Sequence, residues 1–164
     1  MGTKFSTRVW VSVVGIASIF FGSKGYADTV ISVADFGLKP DTRENAVAYV
    51  QKAIEACRGK EPVTLVFPEG RYDFWPQYAH EKNYYETNTY DVFPKRLAML
   101  FEGLHNITVD GNGSQFVMHD RIQPITVENC DGVTLKNFSI DWDIPLTAQA
   151  RVTKVGSDFF EIEI

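Results

Sequence analysis

Two acids, Asp141 and Asp143, lie two residues apart in NFSIDWDIP (residues 137–145), with Trp142 between them. In a strand, residues i and i+2 point the same way, about 6.6 Å apart. At that spacing two carboxyls could work as a general acid and a general base on one reacting bond. Every Asp-x-Asp strand meets this test, however, and two neighbours on one strand approach a bound ring from one side only. Phe138, Ile140 and Trp142 alternate with Ser139, Asp141 and Asp143, which puts the acids on the outer face and the apolar side chains within. Three readings stay open for the pair: catalysis, ligand contact on the floor of a cleft, or a solvated face.

Other residue types invite similar weighing. WPQYAHEKNYYETNTYDVFP (75–94) mixes Trp75, Tyr78, Tyr84, Tyr85, Tyr90 and Phe93 with polar groups and has no clean period. Such rings can lie against the apolar face of a sugar, or simply hold a loop against the body of the fold. MHDR (118–121) places His119 beside Asp120 and Arg121 at a strand end. Adjacent strand residues face opposite ways, so an ion pair or turn contact accounts for them better than acid–base chemistry. DGNGS lacks the helix and lysine of a phosphate loop and reads as a turn. Asn106, Asn112 and Asn137 each open an N-x-S/T triplet, and turn corners with the amide bonding backbone explain them better than glycosylation. His80, His105 and His119 are scattered and no C-x-x-C occurs, so no metal site is expected.

The elements that must position these residues follow from periodicity. Val30–Phe36 reads as a strand ending at Gly37. Asp41 and Glu44 have capping-box spacing, and Ala46, Val47, Val50, Ala53, Ile54 and Cys57 recur every 3.6 residues, predicting a helix that Gly59 and Pro62 stop. From Val63 the period becomes two: VTLVF, a turn at Pro68-Glu69-Gly70, then RYDF. Further strands are expected at 97–101, 107–109, 115–118, 125–127, 133–135, 138–142, 149–155 and 159–164. HNITVDGN (105–112) and DGVTLKNF (131–138) align Ile107 with Val133 and Val109 with Leu135, a weak 26-residue repeat. Repeated short strands suit a solenoid, whose layers bury their apolar faces only against neighbours. A sandwich or barrel is the competing architecture. The helix favours the solenoid, because it would cover the first open layer.

The first 27 residues stand apart. Lys4 and Arg8 precede an apolar run from Val9 to Phe21 and a Gly25-Tyr26-Ala27 ending, the pattern of a signal peptide cut between Ala27 and Asp28. The run is too short to span a bilayer. Removing it takes away Lys4, Arg8 and Lys24, leaving 13 basic against 21 acidic residues, a balance that argues against nucleic acid as a partner. Cys57 and Cys130 sit in an exported chain where pairing is permitted, and two separate thiols are an equal alternative.

VADFGLKPDTRENAVAYVQKAIEAC, TLVFPEGRYDF and NITVDGNGS resemble the N-terminal cap and first coils of the right-handed parallel β-helix enzymes of the pectate-lyase-like superfamily. LKPDTRENAVAYVQKA, KEPVTLVFPEGRYDFWPQ, TVDGNGSQFVMHDR and LKNFSIDWDIPLTAQA are similar, more finely, to glycoside hydrolase family 110, the α-1,3-galactosidases, over nearly all of residues 31–155. The resemblance implies a mainly β fold, a right-handed parallel β-helix with an N-terminal capping helix over 28–164. It implies exported bacterial exo-glycosidases that remove terminal α-1,3-linked galactose from group B-type or linear glycans with inversion, without metal or organic cofactor. The expected partner is then a glycan ending in α-galactose, with no membrane span left after signal cleavage and a periplasmic, surface or secreted location.

Members of that family are several hundred residues long, whereas this chain ends in an alternating apolar strand, FFEIEI. The expectation is an N-terminal fragment, with the catalytic carboxylates in coils after Ile164 and with Trp75, Asp141 and Asp143 as candidate cleft residues. Two alternatives are a pectate-lyase- or polygalacturonase-like enzyme and a glycan-binding β-helix that cuts nothing.

Overall fold

The structure is a computed structural model that describes residues 29–83 and 94–164. Signal cleavage at Ala27 and Asp28, and Tyr84, Tyr85, Tyr90 and Phe93 of the aromatic stretch, lie outside the described residues.

The fold is mainly β. Four layers stack in parallel: β1 (Thr29–Ser32); β2 (Val63–Val66) continuing through a corner into β3 (Arg71–Phe74); a long strand whose two halves pair with both; and a further long strand beyond it. Numbering in chain order, β4 is His80–Lys82, β5 is Lys95–Glu102, β6 is His105–Met118, β7 is Gln123–Glu128 and β8 is Asp131–Trp142. β6 receives β2 along its first half, with Val63 opposite Ile107, and β3 along its second, with Arg71 opposite Gln115. β8 then stacks on β6, placing Val133 on Ile107 and Leu135 on Val109. The 26-residue repeat is therefore a physical register, and Met99 on Ile125 in the β5–β7 ladder shares it. Where short strands are predicted at 107–109 and 115–118, one long strand runs through, and its ladder with β8 shifts register at the corner between Asp110 and Ser114.

The inner faces hold a column of aromatic rings. Phe116, fully buried, lies 4.7 Å from Phe67, 5.6 Å from Phe74 and 4.8 Å from Phe138, centroid to centroid. Pro68 supplies the one carbonyl to which both Tyr72 Oη and Ser114 Oγ donate, at 2.6 and 3.1 Å, so the buried hydroxyls are satisfied at the corner. At that corner Gly70 has φ +146, and a Cβ there would stand 2.4 Å from Pro40 Cβ. Gly70→Ala is expected to cost about 2 kcal/mol of stability, read from the midpoint of urea unfolding.

The helix α1 (Val47–Cys57) buries Val47, Val50, Ala53, Ile54 and Cys57, the predicted apolar stripe, and packs on β1, β2 and β5. Its start corrects the expectation. Asp41 is no cap: it has φ 62, and its carboxylate accepts from Arg71 N at 2.9 Å. The helix opens instead at Ala46, where Asn45 Oδ1 accepts from Val47 N. The predicted strand Val30–Phe36 is also shorter, because Ser32 caps a 3-10 turn over Val33–Phe36, closed by Gly37 at φ 93.

The last two predicted strands form a separate hairpin. β9 (Arg151–Val155) and β10 (Phe160–Glu163) pair antiparallel, with Gly156 N donating to Phe159 O at the turn. A period of two cannot distinguish this from a parallel layer. β4, not foreseen, pairs antiparallel with β5; Lys82 Nζ holds both Glu102 (2.7 Å) and Glu128 (2.8 Å), acids stacked in register on β5 and β7. Cys57 and Cys130 are both free thiols; burial pushes Cys57 up to about 11.

Candidate functional site

Stacking in register creates a grid of outward side chains across three layers. β3 contributes Arg71 and Asp73, with Trp75 just after it; β6 contributes Gln115 and Val117, followed by His119; β8 contributes Ser139 and Asp141, followed by Asp143. The ladder continues past the strand ends, since His119 N donates to Phe74 O (2.9 Å) and Asp143 N to Met118 O (3.0 Å). Trp75, His119 and Asp143 are thus equivalent positions on successive layers. Trp75 and His119 stack ring on ring, 3.9 Å apart and 6° from parallel.

The charged centre of the grid is Asp73. Its side chain is fully buried beneath its neighbours, yet it faces outward from the sheet. Arg71 Nη2 donates to Asp73 Oδ1 at 2.6 Å and to Asp143 Oδ1 at 3.0 Å, so one guanidinium ties the second layer to the fourth. His119 Nε2 meets Asp73 Oδ1 at 2.8 Å. An ionised carboxylate only accepts, so Nε2 carries the proton and Nδ1 is turned toward Asp143 Oδ2, 3.9 Å away. Burial pushes the Asp73 carboxyl up, but hydrogen bonds and charge from Arg71 and His119 outweigh it and hold the group below the ordinary carboxylate range. Both carboxylates raise Arg71 further above its already high value.

Asn45 fixes the near edge of this grid. Its Oδ1 accepts from Val47 N and Trp75 N, and its Nδ2 donates to Gln77 O at 3.0 Å and Trp75 O at 3.5 Å. One amide therefore caps the helix and sets the backbone that carries Trp75.

The Asp-x-Asp pair is divided by this arrangement. Asp143 joins Arg71 and His119, whereas Asp141 accepts from the backbone of Trp142 at 2.8 Å and stands exposed one position along. Both are on the outer face, as the alternation predicts. Within MHDR, His119 finds its acid 46 residues earlier; Asp120 takes a left-handed conformation (φ 58) and its carbonyl accepts from Trp142 Nε1. Asp73 was missed in the sequence, where RYDF reads as an ordinary strand. The available signal is Arg71 and Asp73 at i and i+2, an acid and a base on one outer face. The corner asparagines are left-handed (Asn106 φ 49, Asn112 φ 49, Asn137 φ 60), but Asn137 bonds the Asp110 carboxylate at 3.0 Å rather than backbone. Among the described residues, no group of three or more His, Cys, Asp or Glu side chains is arranged to hold a metal ion, and no helix is long and apolar enough to cross a membrane.

Fold and site define a mainly β protein of in-register parallel layers that presents aromatic, imidazole and carboxylate groups on one outward face. No family model matches the chain. It is 62% identical over 138 residues to α-1,3-galactosidase B of Bacteroides thetaiotaomicron, covering 84% of this chain and 22% of that protein. It is 40% identical over 126 residues to α-1,3-galactosidase A of Shewanella woodyi (77% and 21%) and 36% identical over 159 residues to α-1,3-galactosidase B of Phocaeicola vulgatus (94% and 25%). The chain belongs to the α-1,3-galactosidase family, glycoside hydrolase family 110. It spans 21–25% of the length of these curated relatives.

Proposed function

We propose that the whole protein is an exported exo-acting glycoside hydrolase that releases terminal α-1,3-linked galactose with inversion, and that its parallel layers begin a right-handed β-helix. The observation that carries this reading is the 62% identity over 138 residues to an α-1,3-galactosidase. In it, Trp75, Asp141 and Asp143 are cleft residues, and the acid and base belong to later coils. Nothing in the reading calls for a cofactor.

The test uses the protein in its full natural length, offered galactosyl-α-1,3-galactose and polygalacturonate in parallel. Free galactose is expected from the first alone, appearing as the β-anomer when followed promptly by NMR, since inversion of an α-bond gives β. Cleavage of the polyuronate without galactose release would overturn the reading in favour of a lyase or polygalacturonase relative. Binding without cleavage of either would favour a glycan-binding protein. Export has its own check: the mature chain should begin at Asp28 by mass spectrometry, and an intact Met1 terminus would exclude signal cleavage.

A further inference from the structure

A second feature shares Asn45 with the charged grid. A groove of about 400 Å³, within the range that small-ligand sites occupy, is lined by Glu44, Asn45, Ala48, Tyr49, Lys52 and Tyr78. Tyr78 has φ 66, a left-handed backbone disfavoured for any residue with a Cβ. It is held there from the helix side: Gln51 Nε2 donates to Tyr78 O at 2.8 Å, and Asn45 Nδ2 to Gln77 O at 3.0 Å. Tyr78 is 73% exposed, while Tyr49 is half-buried against the core and forms the floor.

The polar complement of the groove is selective. Asn45 is fully engaged by its four backbone partners and acts as wall only. Glu44 and Lys52 are exposed, and among the described residues neither side chain makes a hydrogen bond or ion pair. One offers acceptors and the other donors, with opposite charges that balance. An amphipathic ring beside one free acceptor and one free donor suits a neutral polyhydroxylated ring, whose C–H face lies on the aromatic while its hydroxyls bond outward.

We propose that this groove is a second sugar-contact site, separate from the Arg71–Asp73–His119 grid, that takes a neutral pyranose on Tyr78. The choice of a galactose-type ring rests on the hydrolase reading above; the groove itself does not.

The test titrates the full-length protein with methyl β-D-galactopyranoside, which has no α-1,3 bond to cut, and follows the tyrosine signals by NMR. Tyr78→Ala is expected to weaken binding by about fivefold or more, and Tyr78→Phe to stay within about twofold, because the stacking ring is kept. Tyr78→Gly should lose binding as well, with a melting temperature at or above the wild type, since glycine accepts the left-handed backbone without strain. Equal binding by wild type and Tyr78→Ala overturns the proposal. Turnover of galactosyl-α-1,3-galactose separates the two readings. If galactose is released but titration ignores Tyr78, the groove falls alone; if none is released and titration still depends on Tyr78, the hydrolase reading falls alone.

Discussion

Asp73→Ala is expected to lower the unfolding free energy at neutral pH by about 3–5 kcal/mol, the range for removing one partner from a buried charge pair. The reason is the number of groups that a single carboxylate satisfies. Arg71 and His119 both donate to it, from two layers, and its side chain has no exposure to water. Without it Arg71, with a side chain only 23% exposed, keeps Asp143 as its counter-charge, and His119 Nε2 loses its acceptor. Asp73→Asn should fail nearly as badly, since the amide supplies one acceptor oxygen where a fork and a ring compete. Urea unfolding followed by circular dichroism measures both variants; a change below about 1 kcal/mol would show that the grid is not cohesive.

The same residue sets an acid limit. Its carboxyl is lowered in the folded protein, so it binds its proton more readily when unfolded. Its contribution is therefore complete above the ordinary carboxylate value near 4 and is lost as pH falls through the lowered folded value. In Asp73→Asn this loss should vanish from the low-pH limb, while the limb above pH 5 runs parallel to wild type.

Phe116→Ala is expected to cost about 3–5 kcal/mol. Phe116 has no solvent exposure and touches rings from the layer before it, Phe67, Tyr72 and Phe74, and from the layer after it, Phe138. Its neighbours belong to the layers on either side, Tyr72 and Phe74 to β3 and Phe138 to β8, which limits how far they can collapse into the space left behind. Phe116→Leu should recover more than half of the loss. Because Gln115 and Val117 flank it on the outer face, a cavity here should also loosen the Trp75–His119 stack, visible as reduced tryptophan circular dichroism in the near ultraviolet.

How much of this was legible depended on whether neighbours in the chain or neighbours across layers decide the matter. The helix interior was readable, since burial of Val47, Val50, Ala53, Ile54 and Cys57 follows from spacing alone. Its first residue was not: Asp41 and Glu44 have the right spacing, but the backbone N–H of Arg71, 30 residues away, claims the Asp41 carboxylate. The register of Ile107 on Val133 was readable from similar segments. The β9–β10 hairpin was not, because alternation looks the same in parallel and antiparallel strands. β4 was hidden for a different reason: HEK has no apolar alternation at all, and ion pairs hold it. For the site, alternation placed Asp141 and Asp143 outward, while the centre, Asp73, emerges only when layers 44 and 24 residues apart are superposed.

That superposition has an arithmetical condition. Between Asp110 and Ser114 on β6 the corner holds three residues, while between their partners Lys136 and Phe138 on β8 it holds one. The difference is even, and a strand turns over with every odd step. Corner loops on this face can therefore lengthen or shorten by pairs and leave Phe138, Ile140 and Trp142 inside. A single inserted residue at Asn137 would exchange them with Ser139, Asp141 and Asp143, turning three polar side chains into the core and Phe138, Ile140 and Trp142 into solvent. Parity, more than length, is what this corner must conserve for Asp143 to arrive beside Arg71.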